Sequence, residues 1–335
     1  MNSRSILIIT PVRNEADFLP RVIESMISQT VRPREWVIVD DGSTDGTANV
    51  IQRFAAKHPW IHYVYKSDRG HRSVGPGVVE AFNYGFMRKN IQDYDYIAKM
   101  DGDITFPDVY LETILDYFEK DPVLGSASGK IVLEAEEGKF VEERTADEMV
   151  VGAFNFYRRQ AFQDIGGFAP IVMWDGIAYH RARMSGWRTR SINDKRLLLV
   201  HKRLMGSSEK SIYHGRLRWG RGQYTMGTHP LYILAVSAYR LFERPYIIGG
   251  ILILSGYISA AFKGLKRYGD KDFRRSLHAW QMERLGLGKR LESLPTLPGS
   301  SEDQKRISPD AGTAASGKEA DSSPAAPSSP SGAVA

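Results

Sequence analysis

The 335-residue sequence contains no cysteine, which excludes both a disulfide framework and a thiolate-held metal. No leader is expected either, since a short apolar strand after Ser5 is followed at once by Arg13-Asn14-Glu15. That stretch is too short and too quickly charged for a signal peptide, so the folded domain is expected on the cytoplasmic side. There is no internal repeat. No nucleic-acid module accompanies the formal charge of +6. The basic residues gather beside apolar segments, which suits lipid headgroups or diphosphates as the anionic partner. From about Leu291 the aromatics disappear and Ser, Pro, Ala, Gly and Glu dominate, so 291–335 reads as a disordered tail.

What is present begins with two acidic clusters, Asp40-Asp41-Gly42-Ser43 and Asp101-Gly102-Asp103, about sixty residues apart and each directly after a short apolar run. Residues 5–11, 36–39, 61–65 and 96–100 read as β-branched or aromatic strands. Between them Leu19, Val22, Ile23, Met26 and Ile27, then Val50, Phe54 and Ala55, repeat at helical spacing. Alternation of this kind predicts βαβ units and a mostly parallel α/β sheet, with Ser43 or Thr44 capping the second helix. Carboxylates just past the ends of parallel strands face the crevice where such sheets bind ligands, and Mg²⁺ or Mn²⁺ bridging a diphosphate suits oxygen ligands placed there. Taken singly, Asp-Gly pairs are also ordinary turns.

The run Thr10-Pro11-Val12-Arg13-Asn14-Glu15, the segment 37–47 containing Asp40-Asp41-Gly42-Ser43-Thr44-Asp45-Gly46-Thr47, and Met100-Asp101-Gly102-Asp103 resemble, in order and spacing, the family 2 glycosyltransferases of the GT-A fold, of the bacterial cell-surface or exopolysaccharide type. The resemblance covers roughly the first 130 residues. It implies that Thr10, Pro11, Arg13 and Glu15 meet the nucleotide from the first strand-to-helix loop. Asp41 would accept the N3 proton of uracil, Asp101 would face the ribose or a metal-bound water, and Asp103 would bind the cation. Glu15 reads equally as a first-turn carboxylate that complements a helix dipole. Lys99 and Arg69 are further cations of the region.

The same resemblance implies a general base on a later loop. Gly166-Gly167-Phe168 matches the family's segment upstream of its acidic motif and places Asp175 as the catalytic carboxylate. The usual pair of adjacent acids is here Trp174-Asp175-Gly176, so the assignment rests on one carboxylate. Trp174 is a candidate acceptor-stacking face or a packing residue. Residues 179–184 read as a helix ending at Gly186, and 188–192 and 197–200 as strands beside the acceptor site. His201 is a candidate third metal ligand. From His201 to Gly227, basic residues alternate with glycine; this reads as a mobile loop closing on the diphosphate through Arg203, Arg218 and Arg221, or as a solvated or membrane-facing surface.

Residues 231–239 are apolar, and the seventeen residues from Tyr246 to Phe262 carry no charge, with Lys263, Lys266 and Arg267 following. A span wants about 20 apolar residues. One transmembrane helix, an interfacial or re-entrant pair, and a soluble hairpin packing on itself or on a second subunit all fit, and membrane association in the interfacial form is favoured. The expected organisation is a GT-A catalytic domain over 1–228, an apolar and basic membrane-associated helical hairpin region over 229–290, and the tail. The expected activity is inverting, Mn²⁺- or Mg²⁺-dependent transfer from a nucleoside-diphosphate sugar, with a UDP-sugar first, to a hydroxyl of a glycan or lipid-linked acceptor at the cytoplasmic membrane face. Transfer to a polyprenyl phosphate and a non-catalytic nucleotide-sugar-binding role are the alternatives. A homo-oligomer is compatible. A sugar-1-phosphate nucleotidyltransferase would need a glycine-rich first loop, which residues 11–15 lack.

Overall fold

The computed structural model describes residues 4–289 apart from 71, 72, 74, 135–139, 143–145, 202–210, 244 and 270. A seven-stranded sheet forms the centre. Its strands are β1 (Ile6–Val12), β2 (Glu35–Asp41), β3 (Ile61–Lys66), β4 (Tyr96–Met100), β6 (Leu124–Gly129), β9 (Phe154–Arg158) and β10 (Arg188–Ile192), in the order β10-β6-β9-β4-β1-β2-β3. Only β9 runs antiparallel to its neighbours. A smaller sheet orders β5 (Ile104–Thr105), β11 (Leu199–His201), β7 (Ile131–Glu134) and β8 (Phe140–Glu142) as β5-β11-β7-β8. The predicted strand at 197–200 therefore forms as β11 in this second sheet and does not widen the first.

Both faces of the large sheet are covered, as the apolar runs require. One face packs Ile6, Ile8, Trp36 and Ile38 against α1 (Leu19–Ile27), α2 (Thr47–Ala55) and α4 (Tyr110–Lys120). The other packs Leu7, Ile9, Val37 and Val39 against α3 (Pro76–Phe86), α5 (Arg159–Asp164) and α6 (Trp174–Met184). Neither Ser43 nor Thr44 caps α2. Asp45 Oδ1 instead accepts from the Thr47 backbone N–H, 2.9 Å, while Ser43 and Thr44 are drawn to the first loop.

The basic, glycine-rich stretch is not a loop over its described part. Residues Ile212–Met226 form helix α7, followed by α8 (Pro230–Tyr239), α9 (Ile248–Phe262) and α10 (Lys271–Arg284). Glycine costs a helix about 1 kcal/mol, and here its position has a packing reason. A Cβ on Gly220 would overlap the Ile253 carbonyl oxygen, one on Gly256 the Leu217 carbonyl oxygen, and one on Gly250 the Ser237 carbonyl oxygen. Backbone thus meets backbone where α9 crosses α7 and α8, and Tyr224, Ile233, Ile253, Tyr257 and Ala260 close the gap. Among the described residues no helix is long and apolar enough to cross a membrane.

Candidate active site

The carboxyl ends of β1, β2 and β4 lie on one edge of the sheet, so the three motif loops meet there. The first two are stitched together. Asn14 N donates to Ser43 Oγ, 3.0 Å, and its Oδ1 accepts from Thr44 N, 2.8 Å. Glu15 N donates to Thr47 Oγ1, 2.9 Å, and Ala16 N to Asp45 Oδ2, 3.2 Å. Asn14 adopts a left-handed backbone, φ 55°, which asparagine tolerates better than most residues. The third loop packs directly on the first, since a Cβ at Gly102 would lie 2.6 Å from Val12 Cγ1.

On the β2–β3 side, Asp41 Oδ1 accepts from Lys66 Nζ and from Arg69 Nη2, both at 2.8 Å. Arg13 donates to the Asp41 carbonyl oxygen, 2.5 Å, and pairs with Asp68, 2.6 Å. Gly42 takes φ 73° and sits so close to Asp68 that any side chain would clash. This side of the site is therefore a carboxylate paired with two cations, Lys66 at the end of β3 and Arg69 three residues beyond it. Lys66 was missed in the sequence because it is one lysine at a strand end, without a motif around it.

On the β4 side, β11 runs antiparallel to β5, and this register brings His201 opposite Ile104. His201 Nε2 lies 3.2 Å from Asp103 Oδ1. Asp101 pairs with Lys99, a residue only 3 % exposed, whose ammonium also donates to the Gly152 carbonyl oxygen, 2.8 Å. Enclosure raises the Asp101 carboxyl above its usual range; Lys99 opposes the shift and the Asp103 charge adds to it. Carboxylate oxygen with imidazole nitrogen is a donor set that Mn²⁺ accepts and Mg²⁺ tolerates. No group of three protein ligands forms among the described residues. That is the ordinary case for cations that take their remaining ligands from phosphate and water.

Asp175 is the second residue of α6, whose cap residue Met173 takes φ 71°. A left-handed methionine costs about 1–3 kcal/mol and marks a position the surroundings enforce. Asp175 Oδ1 accepts from Gly176 N, 2.8 Å, and a side chain at Gly152 would come within 3.4 Å of Asp175 Oδ2. Gly152 is thus flanked by Asp175 and, through its carbonyl, by Lys99 and Asp101. Burial pushes the Asp175 carboxyl up, while the Gly176 N–H and Lys99 pull it back. Trp174 is buried, edge-to-face on Phe168 with centroids 4.7 Å apart, and the Lys99 ammonium lies 5.3 Å from its ring centre. It packs in this structure and offers no open stacking face.

Other expected positions differ. Thr10 lies inside β1, not on the loop; it is fully buried and accepts from the Trp36 indole N–H, 2.9 Å. Pro11 is likewise within β1, and Glu15 is buried, its backbone N–H on Thr47 Oγ1. Arg218 and Arg221 stand on helix α7, with Arg221 exposed. Arg203 falls outside the described residues. Lys99 gathers more of the site than its place in a strand suggested. Methionine at this position is expected to lower kcat/KM for transfer about tenfold to a hundredfold, because it fills the space and supplies no charged donor. Unchanged kinetics of Lys99→Met would show that the ammonium serves packing alone.

Residues 7–169 match the family model described as glycosyl transferase family 2. A chondroitin synthase of Escherichia coli is 31% identical over 116 residues, 35% of this chain and 16% of that protein. A poly-β-1,6-N-acetyl-D-glucosamine synthase of Staphylococcus aureus (strain MSSA476) is 21% identical over 251 residues, 66% of this chain and 58% of that protein. The chain thus spans less than two thirds of either relative. In fold it is similar to the mannosyltransferase PcManGT from Pyrobaculum calidifontis, solved with GDP-Man and Mn²⁺, with TM-score 0.50, 19% identity and coverage of 85% of this chain and 81% of that one. It is also similar to GalNAc-T7, solved with UDP, GalNAc and Mn²⁺, with TM-score 0.54, 14% identity and coverage of 85% and 57%.

Proposed function

We propose, from the match of residues 7–169 to the family 2 glycosyl transferase model, that the chain moves a sugar, with inversion, from a nucleoside-diphosphate donor to a hydroxyl of a lipid-linked glycan at the cytoplasmic membrane face. The observation that carries this reading is the meeting of Asp101 and Asp175 around Lys99 and Gly152, which sets a donor-side acid beside a candidate base. The polysaccharide synthases among the relatives support a glycan acceptor.

The base of the nucleotide would lie against Asp41. Its Oδ1 is held by Lys66 and Arg69, and Oδ2 is the atom to receive an imide N–H, which favours uracil. Asp103 and His201 would hold Mn²⁺ or Mg²⁺, which when bound supplies positive charge to the departing diphosphate. Asp175 accepts the acceptor hydroxyl proton as that oxygen forms its bond to the anomeric carbon and the bond to the diphosphate breaks. Attack from the face opposite the leaving group inverts the centre.

The test is a panel of UDP-, GDP- and dTDP-sugars offered with Mn²⁺ or Mg²⁺ to the protein in mild detergent, with Asp103→Ala alongside. Metal-dependent binding or slow hydrolysis of one donor, lost in the variant, is the expected result. Binding of a donor equally well without metal and in the variant would overturn the cation assignment, and no interaction with any donor would overturn the transfer reading.

A further inference from the structure

The α8–α9 pair has two sides. On α9 the inward line Gly250, Ile253, Gly256, Tyr257 and Ala260 is buried against α7 and α8. The outward line Ile248, Ile251, Ser255, Ile258 and Phe262 is exposed along the whole helix, ending in Phe262 at 89 %. These positions follow a three- and four-residue spacing, so they form one stripe. On α8, Leu231, Leu234 and Tyr239 are exposed in the same way. The turn between the helices adds Phe242 at 81 %, Tyr246 at 59 % and Ile247 at 61 %, the last held at φ 61°, an outlier for a β-branched residue. An apolar face of this extent on a soluble chain marks an interaction surface.

Its edge is basic. Residues 263–275 hold Lys263, Lys266, Arg267, Lys271, Arg274 and Arg275 against Asp270 and Asp272, and Lys263, Lys266 and Arg267 are exposed beside Phe262. Within 245–262 there is no charge at all. An uncharged apolar stripe bordered by cations complements an anionic leaflet, with acyl chains under the stripe and headgroups at the rim. A second protein copy would bring the same cations against themselves. At 15 residues α9 is about 22 Å long, against about 30 Å of hydrocarbon, and one side of it is fixed to α7.

We propose that α8 and α9 dock flat on an anionic membrane surface, the outward stripe in the interface and Lys263, Lys266 and Arg267 on the headgroups. Docking fixes the height of the chemistry. A Cβ at Gly222 of α7 would lie 2.7 Å from Val172 and 2.8 Å from Met173, just before Asp175. One helix layer, α7, therefore separates the leaflet from the base-bearing segment, a reach suited to an acceptor anchored in that leaflet. This last step rests on the transfer reading above; the docking itself does not.

Flotation of the full chain with phosphatidylcholine vesicles, with and without phosphatidylglycerol, tests it. Binding is expected to anionic vesicles, to weaken with salt and to be released by carbonate. Phe242→Asp with Phe262→Asp should reduce it on the order of tenfold or more, with the thermal melt unchanged. Met87→Asp, an exposed residue at the end of α3 and outside the α8–α9 pair, should bind as the parent does. No vesicle binding, equal binding by the double variant, or carbonate-resistant attachment would each overturn the proposal. So would a dimer that the double variant converts to monomer without vesicles, because the face would then belong to a second copy. Vesicle binding without turnover of any donor would leave the docking standing and remove only the transfer reading.

Discussion

Replacing Asp175 with asparagine is expected to lower sugar transfer by about two to four orders of magnitude, the usual contribution of a positioned general base, with donor and metal affinity unchanged. Asparagine keeps the size and can still accept from the Gly176 N–H, but it cannot take the acceptor proton. The wild-type rate should fall as pH falls through the Asp175 pKa, and that acid limb should lie above the ordinary carboxylate range because burial raises the group. The sign for stability is opposite to that of a paired surface aspartate. With its pKa raised on folding, the native state holds the proton more tightly than the unfolded chain, so ionisation at neutral pH costs stability. Asp175→Asn should therefore melt at or above the wild-type temperature near neutrality. The difference should shrink as pH falls through the raised native pKa and be gone below the unfolded carboxylate pKa. Near-normal transfer by the variant in a coupled nucleoside-diphosphate release assay would remove Asp175 from the mechanism.

Much of the amino-terminal architecture was legible because its signals are local. The strands at 5–11, 36–39, 61–65 and 96–100 each appear within a residue or two of their observed ends, since a parallel strand buried on both faces must be a continuous apolar run. The motif loops were also legible, although the hydrogen bonds that join them were not. Asn14 reads as one more polar loop residue until Ser43 and Thr44 are folded against it. Thr10 was misplaced for a related reason: its partner is the Trp36 indole on the neighbouring strand, and no spacing along the chain reveals that. The largest misreading was α7. Glycines among arginines look like a loop when judged by propensity, and what overrides propensity is α9, which lies some thirty residues further on.

Gly256→Ala decides between two states of α9. In a helix that is free in solvent or lipid, alanine in place of glycine gains about 1 kcal/mol. Against α7 the same methyl meets the Leu217 carbonyl oxygen at a separation no real side chain adopts, and it also lies 3.2 Å from the Arg221 amide nitrogen. Neither obstacle is the flexible end of a side chain, so the helices have to move apart, and overpacking of this kind costs about 1–3 kcal/mol. The expected result is a loss of stability in urea unfolding, with Gly220→Ala changing it in the same direction because its methyl strikes the Ile253 carbonyl oxygen from the other side. The two substitutions share one contact, so the double variant should cost less than their sum. A gain of stability from either single variant would mean that α9 does not rest on α7, and the proposed short path from a leaflet through α7 to Asp175 would go with it.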